Sequence, residues 1–211
     1  MNKTAGLLAL LTVAAVFSAC RTDNAERSSV ISLDSLERRN IALRLPASPD
    51  RYDREVCVRS YARAILADSA GFAQGHYSFV RTMPNESYEM CRYDDHTVLE
   101  IANYGCEYFG FSFRWCYNDL APEVSDARIV ERAIENTKAI APWCTELGSY
   151  VGDGADFLET YAREKGAEAL LGNTLDFYPP DDAYGYRVTV EPPVRFGNAA
   201  CIEVAYSLGP L

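Results

Sequence analysis

The chain is poor in histidine, with only His76 and His96 in 211 residues. They stand twenty positions apart, and neither belongs to an H-E-x-x-H helix, so a histidine-built metal centre is not expected. Cysteines at C-x-x-C spacing are also missing, which argues against a thioredoxin-like redox site or a zinc ribbon. No G-x-S-x-G elbow marks a serine nucleophile. Gly152-Asp153-Gly154-Ala155-Asp156-Phe157 begins like a dinucleotide fingerprint. Its third glycine is replaced by Phe157, however, and a helix end precedes it, so it reads as a helix-to-helix turn. The same stretch lacks the acid spacing and closing Glu of a calcium loop. Repeats and low-complexity tracts are absent. No catalytic residue, metal or cofactor is expected.

Positive charge is scarce as well. Twenty Lys and Arg face thirty Asp and Glu, a net charge of −10. Such a surface repels phosphate backbones, which disfavours nucleic acid, and it attracts a basic protein partner by electrostatic steering. Long apolar runs are confined to one place. Lys3 precedes the uncharged stretch Ala5–Phe17, and the small residues Ser18 and Ala19 follow it. A membrane-spanning helix needs about 20 apolar residues. The shorter run, with its basic start and small-residue end, has the three-part layout of a secretory signal. Residues 1–19 are therefore expected to be a leader, 20–50 a tether containing Pro46 and Pro49, and 51–211 a single domain.

The segment Phe17-Ser18-Ala19-Cys20 resembles the lipobox of bacterial lipoproteins, with Phe17 where Leu is usual. The resemblance implies cleavage before Cys20 and lipidation of its thiol, palmitate included. Each buried methylene adds about 0.8 kcal/mol of membrane affinity, so several acyl chains give a stable anchor. Arg21, where an inner-membrane lipoprotein would carry Asp, implies the periplasm-facing side of the outer membrane. Ordinary cleavage after Ala19 is the alternative. Six cysteines remain: Cys57, Cys91, Cys106, Cys116, Cys144 and Cys201. An even number in an oxidising space predicts three disulfides, and six cysteines allow 15 pairings. Cys106–Cys116 is disfavoured, because ten extended residues span about 33 Å and bridged Cα atoms lie within about 7 Å.

Periodicity predicts an α+β domain. A helix is expected over 53–70, with Asp53 as cap and Val56, Cys57, Tyr61, Ala64 and Ile65 on one face. Strands over 75–82, 87–93, 97–103 and 107–116 are separated by short breakers, as in an antiparallel meander. In the last of these, Phe109, Phe111, Phe113 and Trp115 alternate with Tyr108, Gly110, Ser112 and Arg114, so one face packs on a core. A helix pair follows at 125–147, which Pro142 should bend or end early, and at 155–171. Strand-like runs at 175–178, 186–191 and 200–206 close the chain.

Fourteen tyrosines are many for this length. Two loops combine them with acids: Tyr93-Asp94-Asp95-His96, and Asp176-Phe177-Tyr178-Pro179-Pro180-Asp181-Asp182-Ala183-Tyr184-Gly185-Tyr186. Tyrosine offers rigid amphipathic area, and the prolines lower the entropy lost on ordering. Tyr93, Asp94, Asp95, Tyr178, Asp181, Asp182, Tyr184 and Tyr186 are therefore the expected partner-binding residues. In compartment and composition the chain is similar to periplasmic immunity lipoproteins and lysozyme inhibitors, though it lacks the Ser-Gly loop of the membrane-bound inhibitors. The similarity implies a non-catalytic lipoprotein that blocks a basic toxin or cell-wall hydrolase. Two alternatives are a structural outer-membrane assembly lipoprotein and an envelope hydrolase acting on glycan or peptide. The hydrolase would use paired carboxylates such as Glu100 and Glu203, which share a sheet face with Arg114 and Arg187.

Overall fold

The computed structural model describes residues 62–66, 77–83, 85–105, 108–178 and 185–209. The α+β expectation is met. Strands β1 (Tyr77–Met83), β2 (Glu86–Asp94), β3 (Thr97–Gly105) and β4 (Phe109–Tyr117) form an antiparallel meander. Helices α1 (Asp126–Ile140) and α2 (Gly148–Lys165) follow, then β5 (Thr174–Asp176), β6 (Gly185–Val190), β7 (Val194–Phe196) and β8 (Ala199–Gly209). The last strand returns to lie beside β4, and the sheet order is β1-β2-β3-β4-β8-β6-β5. Strand β7 pairs with the start of β8, at Ala199 to Cys201.

Strict alternation in the central strands explains this order. Leu99, Trp115 and Ile202 form one cross-strand row, and Ile101, Phe113, Val204 and Val190 form the next. Every one of these side chains is buried. The helices cover this inner face. Ile129, Ala133 and Ile140 of α1 and Val151, Ala155 and Leu158 of α2 are buried along single stripes, as an amphipathic period dictates. A hydrogen bond ties the layers together: Trp115 Nε1 donates to Thr137 Oγ1 at 2.9 Å, and Thr137 in turn donates to the Ala133 carbonyl.

Helix limits follow local chemistry. Ser125 caps α1 by accepting from the Arg128 amide. The helix ends at Ile140, and a 3-10 turn, Ala141–Trp143, carries Pro142 in its first turn, as proline's missing N–H requires. Helix α2 starts seven residues earlier than the sequence suggests. Gly152 and Gly154, read above as part of a turn, lie inside it. Gly154 is needed there because the Tyr206 ring occupies the space a β-carbon would take.

Two expectations are corrected. Within the helix expected over 53–70, residues 62–66 are not helical, while 53–61 and 67–70 lie outside the described residues. The segment runs irregularly to an antiparallel bridge between Leu66 and Cys144. Its polar backbone groups have partners in other elements. Arg81 Nε and Nη2 donate to the Ala62 carbonyl, Asn103 to that of Arg63, and the Thr145 amide to that of Ile65. The amides of Ile65 and Leu66 donate to Glu89. These tertiary bonds replace the i→i−4 ladder.

The second correction concerns sulfur. Cys116 and Cys201, opposite each other on β4 and β8, form a disulfide. Cys91 and Cys144 were expected in bridges as well, but they are free, buried thiols. Both pack in the apolar core. Burial, reinforced by the nearby Glu89 charge, pushes each thiol up to about 12. Cys20, Cys57 and Cys106 lie outside the described residues. Among the described residues, no helix is long and apolar enough to cross a membrane.

Candidate functional site

The aromatic residues of the C-terminal half converge at one end of the sheet. Tyr150 and Asp153 stand three apart on α2 and so share a face. Tyr186 opens β6, and Phe177 and Tyr178 follow β5. The Tyr150 and Tyr186 rings stack at 5.4 Å between centroids. Tyr178 meets Tyr186 edge-on at 4.8 Å, and Phe177 lies 6.1 Å from Tyr186. Below them the cluster continues into the core through Tyr206, which is stacked on Phe111 at 4.8 Å and donates to the Val151 carbonyl. The outer rings are half-buried and thus combine a fixed base with accessible surface. Tyr108, at the same end of the sheet, lies over Gly209 and is 67 % exposed.

Carboxylates border these rings. Asp153 and Asp176 are exposed. Tyr178 donates to Asp153 Oδ2, and that bond raises the phenol to about 12, with partial burial adding to the effect. The bond ties the Tyr178 ring to α2. Arg187 Nε pairs with Asp176 across β5 and β6 at 3.1 Å. The loop between Tyr178 and Gly185, which holds the expected site residues Asp181, Asp182 and Tyr184, lies outside the described residues.

The remaining expected residues do not join this site. Tyr93, Asp94 and Asp95 close the turn from β2 to β3, beside the Thr97–Tyr117–Ala200 row. Tyr186 pairs with Leu208, eight residues further along β8. At about 3.3 Å per residue the two patches are about 26 Å apart along the strand. The turn residues also have structural work. Asp94 accepts from the His96 amide and the Thr97 hydroxyl. Tyr93 packs edge-on against buried Trp115 at 5.1 Å. Arg132 lies over the Tyr117 ring and donates to Thr97.

Glu100 and Glu203 share the outer sheet face, with Arg114 directly between them in the ladder. Glu100 is 2 % exposed, pairs with Arg114 at 3.4 Å and accepts from the Tyr88 hydroxyl. This is cross-strand charge pairing, and the carboxylates flank a cation rather than a cleft. Arg187 lies elsewhere, opposite Ser207. A groove of about 550 Å³ separates α1 from α2. Its wall charges are engaged with one another, since Lys138 bridges Asp156 and Glu159, and Arg163 also reaches Glu159. Among the described residues, no group of three or more His, Cys, Asp or Glu is placed to hold a metal ion.

Sequence reasoning missed Tyr150, Asp153 and Tyr108, and it placed Phe177 in the candidate loop without counting it among the binding residues. The spacing of Tyr150, Asp153 and Phe157 (i, i+3, i+7) was a usable helical signal, obscured by treating two glycines as a break. The chain matches no protein-family model, no curated protein and no solved structure.

Proposed function

We propose that the chain is a non-catalytic envelope lipoprotein, tethered through Cys20, that binds a basic protein partner with the aromatic and acidic end of its sheet. One observation carries this reading: a half-buried cluster of Tyr150, Phe177, Tyr178 and Tyr186 bordered by the exposed carboxylates of Asp153 and Asp176. Pre-fixed rings lose little entropy on binding and supply most of the contact energy in protein interfaces. The carboxylates, with the chain's net charge of −10, select a positive partner by repelling others. A basic periplasmic toxin or cell-wall hydrolase has that character, and the chain would act on it as an immunity or inhibitor protein. The paired-carboxylate hydrolase finds less support, because Arg114 separates Glu100 from Glu203 in the ladder.

The test is capture from an envelope extract by the mature chain, followed by affinity measurement with the identified protein. A basic partner held in stoichiometric amount is expected. Replacing Tyr178 and Tyr186 by Ala should weaken binding by at least about 30-fold, the scale of a central interface residue worth about 2 kcal/mol. Binding that survives both replacements, in variants with native circular dichroism, would overturn the reading. Mass spectrometry of the mature N-terminus tests the anchor separately: an acylated Cys20 is expected.

A further inference from the structure

Glu89 is the most unusual ionisable group among the described residues. It sits on the inner face of β2, in the row that continues through Ile101, Phe113, Val204 and Val190. It is 1 % exposed. A carboxylate at the end of an apolar row needs partners, and it takes three. Ile65 N donates to Oε1 at 2.5 Å, Leu66 N to Oε2 at 3.1 Å, and the Tyr77 hydroxyl to Oε2 at 2.8 Å. Two of the three come from the irregular segment 62–66, which leads into the sheet from the N-terminal side.

The described surroundings supply no compensating cation. From β1, Tyr77 faces Glu89, and Arg81 on the same strand is turned to the Ala62 carbonyl. From the segment itself, Arg63 points outward to Glu146. The other titratable neighbours are the Cys91 and Cys144 thiols, which feel its charge. Among the described residues no Lys or Arg forms an ion pair with it.

We propose that Glu89 is a proton-operated latch that holds segment 62–66 on the sheet, closed when its carboxyl group is protonated and loosened when it ionises. The reaction is closed–COOH ⇌ open–COO⁻ + H⁺, with the proton passing to water. In the closed form the neutral acid still accepts from the two backbone amides, its O–H turns to the Tyr77 hydroxyl oxygen 2.8 Å away, and no charge is buried. In the open form water solvates the carboxylate better than three protein donors do. Opening also breaks the bonds from Arg81, Asn103 and Thr145 to the segment, so ionisation shifts the opening equilibrium without emptying the closed form. The latch does not rest on the binding site proposed above, because the two use different residues.

The buried group is raised from 4.5 to about 7, desolvation outweighing its three hydrogen bonds. A raised carboxyl favours the closed form below pH 4.5, and that preference is lost as the pH climbs through 7. With 4.5 for the open form, the opening equilibrium increases about 30-fold between pH 5.5 and pH 8.

Hydrogen exchange of the full chain, corrected for the intrinsic pH dependence of exchange, reads this directly at the Ile65 and Leu66 amides. The expected result is an opening constant that rises about 30-fold across that range. Glu89→Gln should remove the dependence. Should that variant not fold, the wild-type chain decides by itself: the opening constants of Ile65 and Leu66 should follow the titration while those of the α2 amides do not. A flat or falling profile at Ile65 and Leu66 would overturn the latch, as would an unchanged profile in a folded Glu89→Gln variant. None of these outcomes bears on partner binding.

Discussion

Removing the Cys116–Cys201 bridge should cost about 4–5 kcal/mol. The bond joins the last strand of the meander to the last strand of the chain, and the 85 residues it closes carry both helices and β5 to β7. In the chain-entropy treatment a loop of that separation loses about 15 cal/mol/K in the unfolded state, which is about 4–5 kcal/mol at 25 °C. Cys116 and Cys201 already stand opposite each other in the ladder, so the strands keep their register when the bond is removed. The sulfurs also pack with Met90 and Val98 in a small cluster on the outer face, so the double Ala variant loses packing in addition. A domain typically holds only 5–15 kcal/mol in total. The assay is equilibrium unfolding in urea, oxidised wild type against Cys116→Ala with Cys201→Ala. For a slope of about 2 kcal/mol/M the midpoint should fall by about 2 M. A shift below about 0.5 M would refute the reasoning. So would alkylation of both cysteines in wild-type protein unfolded without reductant.

Three further outcomes are expected. Thr137→Val leaves the buried Trp115 Nε1–H without an acceptor and should cost about 1–3 kcal/mol, read as a lower melting temperature. An unchanged temperature would mean that the bond contributes nothing. Gly154→Ala should destabilise by about 1–3 kcal/mol, against the roughly 1 kcal/mol gain that helix propensity alone offers, because the new β-carbon meets the Tyr206 ring. Gly152→Ala, whose nearest neighbour would be Ala141 Cβ at 3.7 Å, should show the gain, and equal behaviour of the two would contradict the packing argument. Cys91 and Cys144, both buried and raised to about 12, should resist iodoacetamide at pH 8 in the native protein and react once it is unfolded. Rapid native labelling of either would place it outside the core.

Much of the sheet was legible because its signal is local. In β4 the residues Phe109, Phe111, Phe113 and Trp115 alternate so strictly that this face had to pack on the core, and the short breakers before it favour hairpins; the burial of Ser112 and Cys116 on the other face was not legible. The return of β8 to β4 was not legible, since pairing between strands separated by two helices leaves no short-range mark. The absence of helix at residues 62–66 was hidden for the same reason. Ala64 and Ile65 carry the right apolar spacing, but Glu89, Arg81, Asn103 and Thr145 take up the segment's backbone groups, and all four are distant in sequence. Local periodicity registers an apolar face equally well for a helix and for a segment held down by tertiary bonds.

The proposed binding site shows where composition stops being informative. Tyrosine beside acid marked two loops alike, and Tyr93 is half-buried as Tyr178 and Tyr186 are, yet the rings meet different neighbours. Tyr93 packs against Trp115, and Asp94 spends its oxygens on its own turn. Tyr178 and Tyr186 meet in one ring cluster, to which α2 adds Tyr150 and Asp153. At Tyr93 the neighbour is a core residue, Trp115. Above Tyr206, whose ring fills the space between Phe111 and Gly154, the rings of Tyr150, Phe177, Tyr178 and Tyr186 gather in one layer. Enlarging that space with Tyr206→Ala should therefore draw Phe177 or Tyr186 inward and reduce partner affinity without touching the interface. Unchanged affinity in a folded variant would show that the platform is held by its own rings alone.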